Sequence, residues 1–304
     1  MRLIEPDVEY WAQGQDAIGH IARCARVCYA SQQSDKNMEL VERLTKNKHL
    51  SMFRHETVYY HIEGNEVPRN IINFLRFNCY CNCVVVEQKK HQKHIFASVN
   101  GQFVQDHSYI ASVLSPCEVS ESIYKNFAIK QRNSRVRDAI LMTMRHTVCV
   151  TTQISTSREL NRKSPNCIAE QSTRYVNFGK RGKGICICKP ALFDCWSWWQ
   201  RTRMKFAWWM SEKVYLSLVR HGMADKNFNK AHCLAPEHAR GVLPLDTATK
   251  VVYTYSGKEW KKIFDLRLRG TTGKPHPNAL RIADMIREEI LAHNPYFEKY
   301  GIEL

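Results

Sequence analysis

Apolar residues recur at helical spacing over Asp16–Tyr29, where Ile18, Ile21, Ala22, Ala25, Val27 and Cys28 fall on or near one face; the segment predicts an amphipathic helix. Asn37–Asn47 predicts a second, with Met38, Leu40, Val41 and Leu44 as its apolar side. Further helices are predicted over 70–77, 258–269 and 277–293, and a short one over 157–162, capped by Ser155, Thr156 or Ser157. The β-branched and aromatic run 57–62 predicts a strand, as do 147–152 and 251–255. Residues 79–86 and 95–104 predict a hairpin around a basic tip at 89–93. A long helix over 194–220 carries Trp196, Trp198, Trp199, Trp208 and Trp209. Aromatics at that density point to core and subunit interface rather than to base stacking. A broken helix follows at 229–233 and 236–242, while 107–140 shows no clear period. Neither repeat nor linker interrupts the chain, so the pattern predicts one α+β domain spanning 1–304, with an insertion at roughly 80–145.

Composition narrows the function classes. The 304 residues are 44% hydrophobic and 24% charged, which suits a globular chain. No apolar run reaches membrane-span length, and the opening MRLIEPDVEYW has no apolar h-region, so a cytoplasmic protein is expected. Lys and Arg number 45 against 29 Asp and Glu, a net +16, which calls for an anionic partner. No helix-turn-helix, zinc or RNA-binding motif frames that charge, which disfavours nucleic acid. The 12 cysteines lack zinc spacing: Cys79, Cys81 and Cys83 alternate, as do Cys186 and Cys188, like residues on one face of a strand. No metal is expected, and the glycines of 179–184 predict a basic turn rather than a P-loop.

The densest polar stretch runs from Ser157 to Tyr175. Arg158 and Arg162 share a helix face, and Pro165 ends that helix. Glu170, Ser172 and Arg174 alternate, so an extended chain would aim a carboxylate, a hydroxyl and a guanidinium the same way. Such a wall can grip a phosphate through Arg174 and Ser172 and a sugar hydroxyl through Glu170. A surface salt-bridge cluster is the alternative on pattern alone.

Four blocks in order resemble the flavin-dependent thymidylate synthases. Glu170–Phe178 is similar to that family's signature strand, and Arg162-Lys-Ser, seven residues, then Ser172 occupies the frame of its Arg-His-Arg motif. His49–His55 resembles its flavin loop, Glu237–Leu245 its segment ending Arg-x-x-Leu-Pro, and Ile263–Arg267 its Phe-x-x-Leu-Arg element. Residues 21–29 are similar to its first helix.

The resemblance implies a mixed or antiparallel sheet flanked by helices, and a homotetramer whose sites draw on several subunits. It implies methylation of dUMP to dTMP with FAD, methylenetetrahydrofolate and NADPH, in a bacterial or phage-infected host cell. Carried over by position, Glu159, Arg162, Glu170, Gln171, Ser172, Arg174 and Arg240 would hold the nucleotide, the last from another subunit. Ser172 and Arg267 would be catalytic, Arg267 polarising the pyrimidine imide. His49, Ser51, Arg162, Lys163, Ser164, Glu170, Ser256 and Lys262 would meet the flavin. The chain departs from the family at Lys163 for histidine, Ser164 for arginine, Arg54 for glutamate and Ser256 for asparagine. These changes leave two alternatives open beside unaltered methylation: hydroxymethylation of a pyrimidine nucleotide such as dCMP, or a nucleotide-binding homologue without catalysis.

Overall fold

The computed structural model describes residues 1–64, 66–87, 93–162, 167–178, 184–220 and 234–304, with the Arg220 side chain set aside. Of the predicted tip at 89–93 all but Lys93, of the predicted turn at 179–184 all but Gly184, and the helix at 229–233 with Lys163 and Ser164 lie outside these residues. The strands are β1 (Arg2–Ile4), β2 (Asp7–Tyr10), β3 (Thr57–Glu63), β4 (Cys81–Glu87), β5 (Lys93–Asn100), β6 (Glu118–Val119), β7 (Arg145–Gln153), β8 (Ile168–Glu170), β9 (Cys186–Cys188) and β10 (Ala248–Ser256). There are two antiparallel four-stranded sheets among the described residues, ordered β2-β7-β10-β8 and β4-β5-β3-β6, and a separate parallel pair of β1 with β9. The predicted α+β class is observed.

Strand β10 is the spine of the first sheet. It pairs with β7 from Ala248↔Gln153 to Ser256↔Arg145 and with β8 from Val251↔Glu170 to Tyr253↔Ile168. Val148, Val150, Val251, Tyr253 and Tyr255 join Trp260, Ile263 and Phe264 of the helix Gly257–Arg267 and Ile282, Ile286 and Ile290 of the helix Pro277–His293 in one core. Each such side chain stabilises the fold by roughly 1.5–3 kcal/mol on burial. Both helices are fixed at their starts. Ser256 and Glu259 form a reciprocal capping box, and His276 accepts from the Asn278 amide ahead of Pro277 at the first turn.

The second sheet holds the predicted hairpin, with Cys81↔Val99 through Glu87↔Lys93 in register. Cys79 lies ahead of β4 and is exposed, so the three-cysteine strand face is reduced to Cys81 and Cys83. Strand β5 ends at Asn100 rather than 104, because the Asn100 side chain accepts from the Phe103 amide at 2.9 Å and caps a helix, Gly101–Asp106. Only a glycine fits at 101, where a Cβ would sit 2.8 Å from the Phe53 carbonyl. Ile95, Ala97 and Val99 of β5 pack with Tyr60, Ile62, Leu75 and Phe103 in a second core, while Phe96 faces the first. The unreadable stretch 107–140 forms three short helices, Ser108–Leu114, Glu121–Ile129 and Ser134–Leu141. The tryptophan-rich helix runs Trp198–Arg220, with Trp208 buried and Trp198, Trp199 and Trp209 exposed. Among the described residues, no helix is long and apolar enough to cross a membrane.

Candidate active site

The helix Ile154–Asn161 organises the polar cluster. It begins directly after β7, three residues earlier than its sequence predicts, and no side chain caps it. Its first amides are satisfied by main chain instead: Ile154 N–H donates to the Thr247 carbonyl at 3.0 Å and Ser155 N–H to that of Leu245 at 3.1 Å. Ser155, Thr156 and Ser157 therefore lie inside the helix, where the Ser157 hydroxyl sits 3.0 Å from the Ile154 carbonyl.

Ser157 and Asn161, four apart, share one face of this helix. Ser157 Oγ donates to Oε1 of Glu170 at 2.6 Å, and Asn161 Nδ2 donates to Oε2 at 3.3 Å. The Tyr253 hydroxyl donates to Asn161 Oδ1 at 2.9 Å, which turns the amide so that its nitrogen faces Glu170. Thr249 Oγ1 adds a bond to Glu170 Oε1 at 3.4 Å. An ionised carboxylate accepts about four bonds, so this half-buried Glu170 keeps roughly one acceptor position for a ligand hydroxyl. On the other side of the same helix, Arg267 donates to the main-chain carbonyl of Glu159. Glu170 and Arg267 are thus tied to one rigid element. Ser157, Asn161, Thr249 and Tyr253 were not among the sequence-derived site residues; only the 157/161 spacing hinted at a shared face.

The expected wall of Glu170, Ser172 and Arg174 does not form. Strand β8 ends at Glu170 and the chain turns, with Val176 N–H bonded to the Ser172 carbonyl and Arg174 N–H to Ser172 Oγ, both at 3.1 Å. A hydroxyl that closes such a turn competes with extended structure. Gln171 and Ser172 stay anchored through their amides to the carbonyls of Lys250, at 2.8 Å, and Cys28, at 2.9 Å. Arg174 swings out to solvent, where Nε donates to Glu237 Oε2 at 2.7 Å and the guanidinium lies 5.3 Å from the Tyr175 ring centroid. That contact uses one of a guanidinium's five donors. The Arg174 bond, with the fields of His238 and Arg240 behind it, holds the Glu237 carboxyl below its usual range. Arg240 is exposed three residues further on, so Arg174, Glu237 and Arg240 form a mixed-charge rim. A cavity of about 450 Å³ opens beside the cluster, lined by Gln171, Thr249, Lys250, Asn177, Phe178 and Arg2 among others. Its size suits a small ligand.

The residues expected at a flavin divide into two groups. His49 and Ser51 are exposed at the head of the turn Leu50–His55, Arg162 is exposed at the end of its helix, and Lys262 is exposed on Gly257–Arg267. By chemistry alone, imidazole, hydroxyl and two cations suit an anionic dinucleotide. Ser256 does not fit: it is buried, and its hydroxyl is committed to Glu259 at 2.8 Å. The turn is pinned by a residue the sequence did not single out, Arg145. Its guanidinium donates to the carbonyls of Glu56 at 3.1 Å, Arg54 at 2.9 Å and Thr254 at 3.1 Å. Arg54, where the family has glutamate, donates to Gln102 and lies 5.4 Å from the Tyr80 ring centroid.

Behind the turn, His55 Nδ1 is 2.9 Å from Thr254 Oγ1, which is 2.7 Å from Thr147 Oγ1, itself 3.3 Å from His20 Nε2. Burial keeps both histidines neutral, lowering His20 to about 4 and His55 well below its ordinary value. Burial also pushes the neighbouring Cys167 thiol up to about 11, so it is no thiolate nucleophile at neutral pH.

No curated protein matches the chain by sequence. Among solved structures, it is similar to a UMP/dUMP methylase, PolB, from Streptomyces cacaoi. The form bound with 5-Br dUMP aligns at 16% identity over 96% of this chain and 91% of that one, with a TM-score of 0.39. The form bound with 5-Br UMP aligns at 15% identity over 99% and 97%, with a TM-score of 0.40. At such scores the likeness carries no argument, and the family rests on sequence. The sequence model described as thymidylate synthase complementing protein, Thy1, matches residues 115–296, more than half of the 304. The chain belongs to the Thy1 family, the flavin-dependent thymidylate synthases.

Proposed function

We propose that this protein methylates dUMP at the fifth ring carbon to give dTMP, with methylenetetrahydrofolate as carbon donor and NADPH as reductant. The observation that carries the reading is the arrangement around Ile154–Asn161, where one short helix holds the Glu170 carboxylate on one side and Arg267 on the other. In this reading Glu170 and Gln171 take the sugar, while Ser172 and Arg174 take the phosphate, with Glu159 and Arg162 beside them; Arg240, expected from a second subunit, instead stands on the same chain's rim beside Glu237. Arg267 stabilises the ionised imide by its fixed positive charge. His49, Ser51, Arg162 and Lys262 hold FAD, which when bound and reduced supplies the hydride that completes the methyl group.

A homotetramer fits the apolar side chains that the helix Trp198–Arg220 leaves exposed, Trp199, Phe206, Trp209 and Met210 among them. One family domain enlarged from within, at roughly 80–145, accounts for Ile95, Ala97, Val99, Phe103 and Leu114 of the second core.

The test is release of tritium from the fifth position of labelled dUMP, with folate, FAD and NADPH supplied. Release with dTMP as product is expected. Release only from dCMP, with a hydroxymethyl product, selects the second reading, which Lys163 and Ser164 favour by replacing the family's histidine and arginine. Release from UMP in preference to dUMP moves the substrate to the ribonucleotide. Nucleotide binding without release from any of them overturns catalysis.

A further inference from the structure

The second sheet carries a donor cluster that the nucleotide cluster does not use. His61 and Glu63 stand two apart on β3 and so point to one face. His94, on β5, is the direct cross-strand partner of Glu63, which brings it to that same face. One ring nitrogen from each histidine and one carboxylate oxygen lie mutually within 4.8 Å. Glu63 Oε1 is 3.7 Å from His61 Nδ1 and 3.9 Å from His94 Nδ1, and His61 Nε2 is 3.1 Å from His94 Nδ1. Zinc bonds of about 2.0–2.2 Å at tetrahedral angles set neighbouring donors roughly 3.3–3.5 Å apart. His61 meets Glu63 through its Nδ1 and meets His94 through its Nε2, so binding one ion requires the Glu63 side chain, which is 57% exposed, and the His94 ring to turn toward a single His61 nitrogen.

The surroundings restrain the cluster. His61 is buried, with its ring stacked 4.6 Å from Phe96 and tilted against Phe127 at 4.2 Å. The His94 ring lies within 9° of parallel to it. Glu66 supports Glu63 from behind, its Oε2 accepting from the Glu63 amide at 3.2 Å. Two neutral imidazoles and one carboxylate form a borderline donor set with one negative charge, suited to zinc, cobalt, nickel or iron rather than to calcium or magnesium.

We propose that His61, Glu63 and His94 bind a divalent transition-metal ion of the zinc class, with a fourth position open to water. The ion would clamp β3 to β5 at the end of the ladder away from Thr57↔Asn100, about 20 Å along the strand from the flavin turn. Its role is therefore read in stability and metal content rather than in turnover.

The test uses the untagged full chain, stripped with chelator and titrated with Zn²⁺, with Co²⁺ as a spectroscopic probe. One high-affinity equivalent, a visible Co²⁺ absorption of a low-coordinate site and a zinc-dependent rise in Tm are expected. Glu63→Gln and His94→Asn should each weaken zinc binding ~10-fold or more, since even an outer-shell loss has that effect, and should leave the metal-free Tm unchanged. These two are chosen over His61, whose removal would disturb packing against Phe96 and Phe127. Zinc uptake undiminished in both variants would mean thiol binding elsewhere and would overturn the proposal. So would absence of uptake by the parent chain, which would leave a hydrogen-bonded histidine pair only.

Discussion

Ser157 Oγ and Glu170 Oε1 are 2.6 Å apart, the shortest of three bonds by which this chain orients that carboxylate. A hydrogen bond to a charged acceptor contributes about 1.5–3 kcal/mol. Ser157→Ala leaves Asn161 and Thr249 in place, so a loss of about 1.5 kcal/mol in stability is expected, at the low end of that range. Nucleotide affinity should fall as well, because the carboxylate gains freedom to rotate. Urea denaturation and calorimetric titration of dUMP measure the two effects; an unchanged affinity would remove Glu170 from the sugar site.

Arg174 and Glu237 form an exposed pair, and a phosphate would compete with Glu237 for the same guanidinium. Glu237→Gln should therefore tighten nucleotide binding, while Arg174→Ala should abolish it with the oligomer and Tm unchanged. Calorimetry and light scattering decide. Retained affinity in Arg174→Ala would place the phosphate elsewhere.

Arg145 donates to three carbonyls in two different segments. Lysine keeps the charge but lacks the planar fork, so it can serve only part of that set. Arg145→Lys should destabilise the chain by roughly 1.5–3 kcal/mol, the loss of charge-assisted bonds, since the carbonyls of Arg54 and Glu56 keep Cys167 Sγ and the Gly101 amide as partners. It should also loosen the His49–His55 turn and weaken FAD retention, read from the flavin absorbance that co-purifies.

Buried histidines set the acid limit. Burial lowers His146 to about 3 and His20 to about 4 in the folded chain, from 6.5. Above pH 6.5 both states are neutral at these positions and pH has no effect through them. Below it the unfolded chain takes up protons that the folded chain refuses, so stability falls with pH, by about 1.4 kcal/mol per histidine per unit at most. The fall continues to about pH 4 for His20 and about pH 3 for His146. Denaturant melts between pH 8 and 4 should show it, and His146→Gln should flatten the slope.

The parts legible in the sequence were those decided locally. Pro277–His293 begins and ends where Pro277, its capping His276 and its apolar period say. The strand 57–63 and the helix from residue 17 are equally local. The structure differs from the sequence pattern where distant groups decide. The helix after β7 starts early because the carbonyls of Leu245 and Thr247 satisfy its amides, which no local cap could reveal. The period-two reading of Glu170, Ser172 and Arg174 failed because Ser172 closes a turn on Arg174. Motif position marked Glu170 and Arg267, but the groups that hold Glu170, from Thr249 and from Asn161 oriented by Tyr253, are brought in by the β8–β10 ladder and the helix beside it. Ser256 sat in a flavin block by alignment, while its neighbour Glu259 already marked it as a helix cap.

Strand β5 is a party wall: Phe96 belongs to one core, and Ile95, Ala97 and Val99 belong to the other. A wall shared in this way cannot be removed with one room. Excising 80–145 would strip Phe96, Tyr124 and Ile140 from the core that also holds Val150 and Tyr253. The second sheet, whose strand β3 lies outside 80–145, is therefore woven into the chain rather than a graftable module, and the whole chain should melt in a single calorimetric transition.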